Sequence, residues 1–250
     1  MKLKRFYKPR FLLVYPLAVW LFIAANTTEG SFALGGLVVL LGEALRLWAN
    51  GYVGHVKVNW TQKWRGDAKI GQLMTAGPYA YVRHPLYLGT FLLGLGFCII
   101  VGSWWLTLAA LAFFLVIYGR KMAQEERILL DECGEAFARY RRAVSQWLPT
   151  WRRYPGGEGR WGWEGIMASR EPKTLIWVTV MLILLYFREE LIQEREALWT
   201  QHTFKHIFLL GLAVVLMLSD GIFELVRRWR KRHAAPPAAS ADSSAPPSGA

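Results

Sequence analysis

Apolar residues gather in long runs, Phe11 to Ala25, Phe32 to Leu41, Tyr87 to Val101, Trp104 to Tyr118, Thr174 to Phe187 and Phe204 to Leu218, and the charged residues fall almost wholly between them. Runs without the regular polar positions of a half-exposed helix or strand predict helices immersed in an apolar medium. Each run is shorter than the roughly 18 to 20 residues that cross a bilayer. Tolerated flanks, such as Glu43 to Trp48 or Asp220 to Val226, bring several of them to spanning length. The pattern predicts an all-α, polytopic integral membrane protein with about six transmembrane helices.

Charge sharpens this picture. If the spans alternate, one side of the membrane receives Lys2, Lys4, Arg5, Lys8 and Arg10, the segment 50 to 85, the long segment 119 to 173, and the run Arg227 to Arg232. The other side receives Asn26 to Ser31, the turn Gly102-Ser103, and a loop with four Glu against Arg188 and Arg195. Lys and Arg concentrated in alternate loops mark the cytoplasmic face, so both termini are expected inside. A soluble bundle of six buried helices has no reason to sort its charges this way. Topology also accounts for the formal charge of +12. No basic stripe interleaved with a stacking platform is present, so no nucleic acid is expected as a partner. Cys98 falls in a span and Cys133 in a cytoplasmic segment, which argues against a disulfide.

The chain divides into three parts. Residues 1–155 hold four spans in two hairpins, followed by amphipathic cytoplasmic helices with a break near Cys133-Gly134 and an end before Pro149. Residues 156–232 hold a Gly/Trp linker and two additional spans. Residues 233–250, rich in Ala, Pro and Ser, are expected to be disordered.

Two polar clusters adjoin the membrane on the cytoplasmic side. "GPYAYVRHPLYLG", Gly77 to Gly89, opens the third span, and Lys121 to Arg127 closes the fourth. The turn between those spans is two residues long, so Arg83, His84 and Tyr87 should return to the depth of Lys121, Glu125 and Glu126. Pro85 suits the first turn of a helix, leaving free amide groups beside the Tyr/His cluster. Gly89, with Gly94 and Gly96, thins one face of the span for close approach. Two readings stand side by side. A Glu pair with Tyr79, Tyr81 and Tyr87 has the chemistry to hold an ammonium or sulfonium ion. The same Arg, His and Glu residues also suit ion pairs that merely lock the hairpin ends. No second His or Cys stands at ligand spacing from His84, so no metal is expected; His55, His202 and His206 lie in other segments.

"LMTAGPYAYVRHPLYLG" followed by "EERILLDECGEAFARYRRAVSQWLP" resembles the isoprenylcysteine carboxyl methyltransferase and phospholipid methyltransferase superfamily of membrane enzymes. The likeness lies in Arg83-His84-Pro85-Leu86-Tyr87-Leu88-Gly89, Glu125-Glu126 with Leu129, and Gly134, Phe137, Tyr140 and Val144 before Pro149, and covers about residues 35 to 150. It implies S-adenosylmethionine as methyl donor. The implied cofactor contacts are Gln72, Leu73, Met74, Tyr79, His84, Pro85, Leu86, Tyr87 and Glu125. The implied acceptor is amphiphilic or lipid-linked, a carboxylate, amine or thiol. Lys121, with Arg120 beside it, stands where the carboxyl methyltransferases place an arginine, and would attract an anionic acceptor. Glu126 would take the proton from an amine. Gly71 replaces a His usual in the family, so the two departures bear on the acceptor more than on the cofactor.

The competing reading is a noncatalytic membrane scaffold or sensor that retains the fold. Retention of Tyr79, His84, Tyr87 and the Glu pair argues against it. A transporter is disfavoured because the charges cluster at span ends and line no path. The tail and the lack of organelle retention signals point to a bacterial inner membrane. Expected partners are the lipid bilayer and an amphiphilic acceptor, with room for a homodimer. The last two spans suggest no chemical role, and Asp220 and Glu224 are expected to pair with neighbouring Arg.

Overall fold

The computed structural model describes residues 25–53, 73–155, 159–169, 171–189 and 203–233. Most of the first expected span, Gln72, part of the Gly/Trp linker, most of the acidic loop and the tail from residue 234 lie outside the described residues. All regular elements among the described residues are helical: α1 (Glu29–Val53), a 3-10 turn (Gly77–Ala80), α2 (Pro85–Val101), α3 (Trp104–Ala143), α4 (Trp163–Ala168), α5 (Glu171–Arg188) and α6 (Thr203–His233).

Among the described residues three helices are long and apolar enough to cross a membrane: Glu29–Val53, Trp104–Ala143 and, within α6, Phe204–Ile222. Helix α2 is apolar over 17 residues, and α5 has 18. Their outward faces are bare hydrocarbon. Leu34, Leu37 and Leu41 on α1, Phe113, Val116 and Ile117 on α3, and Phe208, Val215 and Leu218 on α6 are all exposed, as lipid-facing side chains would be.

Helices α1 and α2 cross on glycine. A Cβ built at Gly35 would lie 2.5 Å from the Gly96 carbonyl oxygen, and one at Gly96 would lie 2.6 Å from that of Gly35. Two turns along, Gly42 and Gly89 meet in the same way, at 2.9 and 2.8 Å. Both pairs are reciprocal, so the backbones touch where no other residue leaves room. Gly94 faces open space, so the expectation that it continues this face is corrected. Around the crossing, Val39, Leu93 and Ile100 pack with Leu185 of α5.

The hairpin between α2 and α3 turns on Gly102, whose φ of 71° is left-handed, and Ser103 caps α3 by accepting from the Leu106 amide. Helix α3 runs past the apolar stretch into the expected amphipathic segment, and its backbone leaves helical geometry at Gly134 (φ 51°, ψ −127°), where the break was expected. Beyond it, the chain runs back beside the segment that leads into α2. Val82 and Ser145 form a bridge, Arg83 N donates to Ser145 O (2.9 Å), and Tyr154 N donates to Ala80 O (2.9 Å). These bonds tie the two polar clusters into one unit. Lys173 and Trp177 of α5 both bond Asp220 of α6, at 3.0 and 3.2 Å, so Asp220 pairs with a lysine and an indole where an arginine was expected.

Candidate functional site

A cavity of about 460 Å3 lies where these segments converge. Its lining draws on α1 (Arg46, Val53), the segment before α2 (Leu73, Met74, Tyr79, Arg83, His84), α2 (Pro85, Leu86, Tyr87, Thr90), α3 (Tyr118, Lys121, Glu125, Leu129, Phe137, Tyr140) and α5 (Glu171). Its size is within the range of small-molecule sites.

The geometry begins at Pro85. As the first residue of α2 it fixes the helix start, and His84 precedes it in a non-helical conformation. The His84 ring makes no cap bond; its Nε2 lies 3.1 Å from Glu126 Oε1. Arg83 Nε donates to the same oxygen at 2.9 Å, and Arg141 approaches the other at 3.4 Å. The second arm of Arg83 donates to the carbonyls of Arg141 (2.7 Å) and Val144 (2.8 Å), capping the end of α3. Tyr140 secures the 3-10 turn by donating to the Tyr79 carbonyl at 2.6 Å. Arg83, Glu126 and Tyr140 thus lock the polar ends of α2 and α3 together.

The second carboxylate of the pair faces the other way. Glu125 lines the cavity and accepts a hydrogen bond from the Tyr87 hydroxyl. Tyr87 packs between His84 (ring centroids 5.6 Å apart) and Tyr118 (5.3 Å), with the Lys121 ammonium 5.1 Å from its ring centre. Burial, with Tyr140 and Glu125 close by, pushes the Tyr79 phenol above its ordinary range, so it stays neutral.

The two adjacent carboxylates therefore have different surroundings. Leu73, Met74, Tyr79, His84, Pro85, Leu86, Tyr87 and Glu125 line one cavity together with Lys121, whereas Glu126 is outside the lining and shared among Arg83, Arg141 and the His84 ring. Among the described residues no group of three or more His, Cys, Asp or Glu is placed to hold a metal ion.

Sequence reasoning missed Arg46, Thr90 and Glu171. Arg46 sits in the span flank Glu43 to Trp48, and Glu171 lies just ahead of the apolar run Thr174 to Phe187. In the structure the Arg46 guanidinium grips Glu171 with two hydrogen bonds, Nη2 to Oε1 at 2.6 Å and Nε to Oε2 at 3.1 Å, and its remaining arm donates to the Thr90 hydroxyl. A charge within an apolar run was the available signal, because such residues in a membrane span ordinarily serve a site.

Fold and site together define an all-helical integral membrane protein with a polar, aromatic-walled cavity at the ends of its helices. Residues 33–131 match the family model of the isoprenylcysteine carboxyl methyltransferase (ICMT) family, and over that stretch the resemblance read from the motifs is borne out. Protein-S-isoprenylcysteine O-methyltransferase of Schizosaccharomyces pombe is 35% identical over 80 residues, 31% of this chain and 33% of the relative. Cobalt-zinc-cadmium resistance protein CzcN of Cupriavidus metallidurans is 32% identical over 128 residues, 51% of this chain and 53% of the relative. The chain thus spans between a third and about half of the length of these curated relatives. No solved structure matches.

Proposed function

We propose that this chain transfers a methyl group from S-adenosylmethionine to an amphiphilic or lipid-linked acceptor at the cytoplasmic face of a bacterial inner membrane. The observation that carries the reading is the convergence of Tyr87, Glu125 and Lys121, with Tyr79 and His84, on one cavity. The donor set fits the cofactor. Glu125 offers a carboxylate for an ammonium group, Lys121 an ammonium for a carboxylate, and Tyr79, Tyr87 and Tyr118 ring faces for a sulfonium. Leu73, Met74 and Leu86 supply apolar surface for an aromatic base.

When bound, S-adenosylmethionine supplies a methyl carbon already activated by the positive sulfur, so the reaction asks the protein chiefly for alignment. Holding two reactants in line contributes up to roughly 7 to 11 kcal/mol. Glu125 and Tyr87 orient one reactant. Glu126, through Arg83 and His84, keeps the start of α2 in register with α3, which makes it a positioning residue here. Lys121 is exposed and draws the cofactor's carboxylate to the mouth of the site. A noncatalytic scaffold would have no need for these groups to face a common cavity.

Binding of labelled S-adenosylmethionine to detergent-purified protein tests the reading, with Glu125→Gln and His84→Ala as comparisons. Weakened binding in both variants is expected. No binding by the wild type, or full binding by both variants, would overturn the assignment. Methyl incorporation into total membrane lipids, small thiols and membrane proteins then separates the acceptor classes.

A further inference from the structure

The Arg46 cluster lies beyond the groups that the methyltransferase reading uses. Thr90, which bonds Arg46, is three residues further along α2 than Tyr87, and so about 4.5 Å further along the helix axis. A lone arginine there would be the natural seat for a carboxylate, because its planar fork matches a carboxylate in bidentate geometry. That seat is filled by the protein's own Glu171.

Glu171 is held firmly in place. It is 2% exposed, its amide donates to the Ser169 hydroxyl at 3.0 Å, and it is the first residue of α5, where the helix dipole favours a negative charge. The segment leading to it is itself docked: Gly162 N donates to the carbonyl of Gly51 on α1 at 3.0 Å, and Trp161 packs directly on Gly51. A second carboxylate, Glu43, is 3% exposed and stands 4.0 Å from Arg46 Nε, with no hydrogen-bond partner for either oxygen among the described residues. Two carboxyl groups thus surround one guanidinium. Every arm of the Arg46 guanidinium is thus engaged, by Glu171 and Thr90, with Glu43 beside it.

We propose that Glu171 makes the site select against carboxylate acceptors, so that the methyl acceptor is an amine, alcohol or thiol. This rests on the methyltransferase reading and narrows its substrate class. An incoming carboxylate would meet an occupied fork and an adjacent buried acid, whereas an amine, hydroxyl or thiol brings no negative charge against them. The Glu171 side chain comes from outside residues 33–131, so the selectivity is a property of this chain's C-terminal helices and not of the family-matched stretch.

The test uses two amphiphiles of equal chain length, dodecylamine and dodecanoate, at a pH where both are ionised. Their binding to full-length protein in a neutral detergent is followed without cofactor. Wild type is expected to bind dodecylammonium at least tenfold more tightly than dodecanoate. Glu171→Gln, which keeps the volume and removes the charge, should free the Arg46 fork and raise dodecanoate affinity at least tenfold. Glu171→Asp, which keeps the charge, should retain the wild-type order. Affinities are referred to the micelle-bound concentration of each amphiphile, so that partitioning cancels both between the two amphiphiles and between variants. Wild type preferring dodecanoate, or an unchanged preference in Glu171→Gln, would overturn the proposal. Labelled S-adenosylmethionine binding, measured on the same preparations, reports separately on the methyltransferase reading, so the two cannot fail unnoticed together.

Discussion

Arg46 and Glu171 lie 125 positions apart and meet in a two-pronged ion pair that joins the first described helix to the C-terminal helix pair. Both side chains are largely shielded, with 15% and 3% of their surface exposed. Breaking one side of such a pair leaves a buried charge without its partner. Glu171→Ala is therefore expected to cost about 3–5 kcal/mol, whereas an apolar replacement of both residues should recover most of that loss. Denaturant unfolding in mixed micelles, run as a double-mutant cycle with Arg46→Met, checks it.

The glycine crossing makes a second prediction with an internal control. Gly42→Leu and Gly89→Leu should each force α1 and α2 apart and destabilise by about 1–3 kcal/mol or more, since added volume in a packed interface strains the backbone. Gly94→Ala, which meets open space, should be neutral or slightly stabilising. Thermal stability in detergent separates the two cases.

Glu125 and Tyr87 lend themselves to a binding measurement. Hydrogen bonds involving a charged group contribute about 1.5–3 kcal/mol, so Glu125→Gln should weaken S-adenosylmethionine binding by roughly 10- to 150-fold. Tyr87→Phe removes the hydroxyl that aims the Glu125 carboxylate and should cost about tenfold. Equilibrium binding of labelled cofactor reads both.

Tyr79 predicts an alkaline limb. Its phenol is shifted upward from an ordinary value near 10 by burial, so the neutral form is favoured in the folded state. The associated stability is fully present below the unfolded value and is lost as pH rises above about 10 toward the folded one. Tyr79→Phe should make this part of the unfolding profile shallower, with the phenol of Tyr140 also raised by burial and still contributing, and leave stability at neutral pH almost unchanged. Unfolding midpoints across pH 8 to 11, taken as an approximate range spanning the ordinary phenol value, provide the measurement.

Much of the architecture was legible in the linear pattern. The helical class, the tight turn at Gly102, the break at Gly134 and the pairing of the "VRHPLY" and "KMAQEER" clusters all follow from local chemistry: apolar runs, glycine where φ is positive, proline at a helix start, and a hairpin too short to place its ends anywhere else. Such features depend on residues close in sequence or on one short connection. The division of labour between Glu125 and Glu126 was not legible, because adjacent residues on a helix point about 100° apart and nothing local says which faces a cavity. Nor could the partner of Arg46 be read, since a buried charge announces that it needs a counterion without saying where along the chain that counterion lies. Glu171 reaches it only because glycine contacts bring α1 against α2 and the segment after Gly159 packs across the end of α1, geometry set by long-range packing.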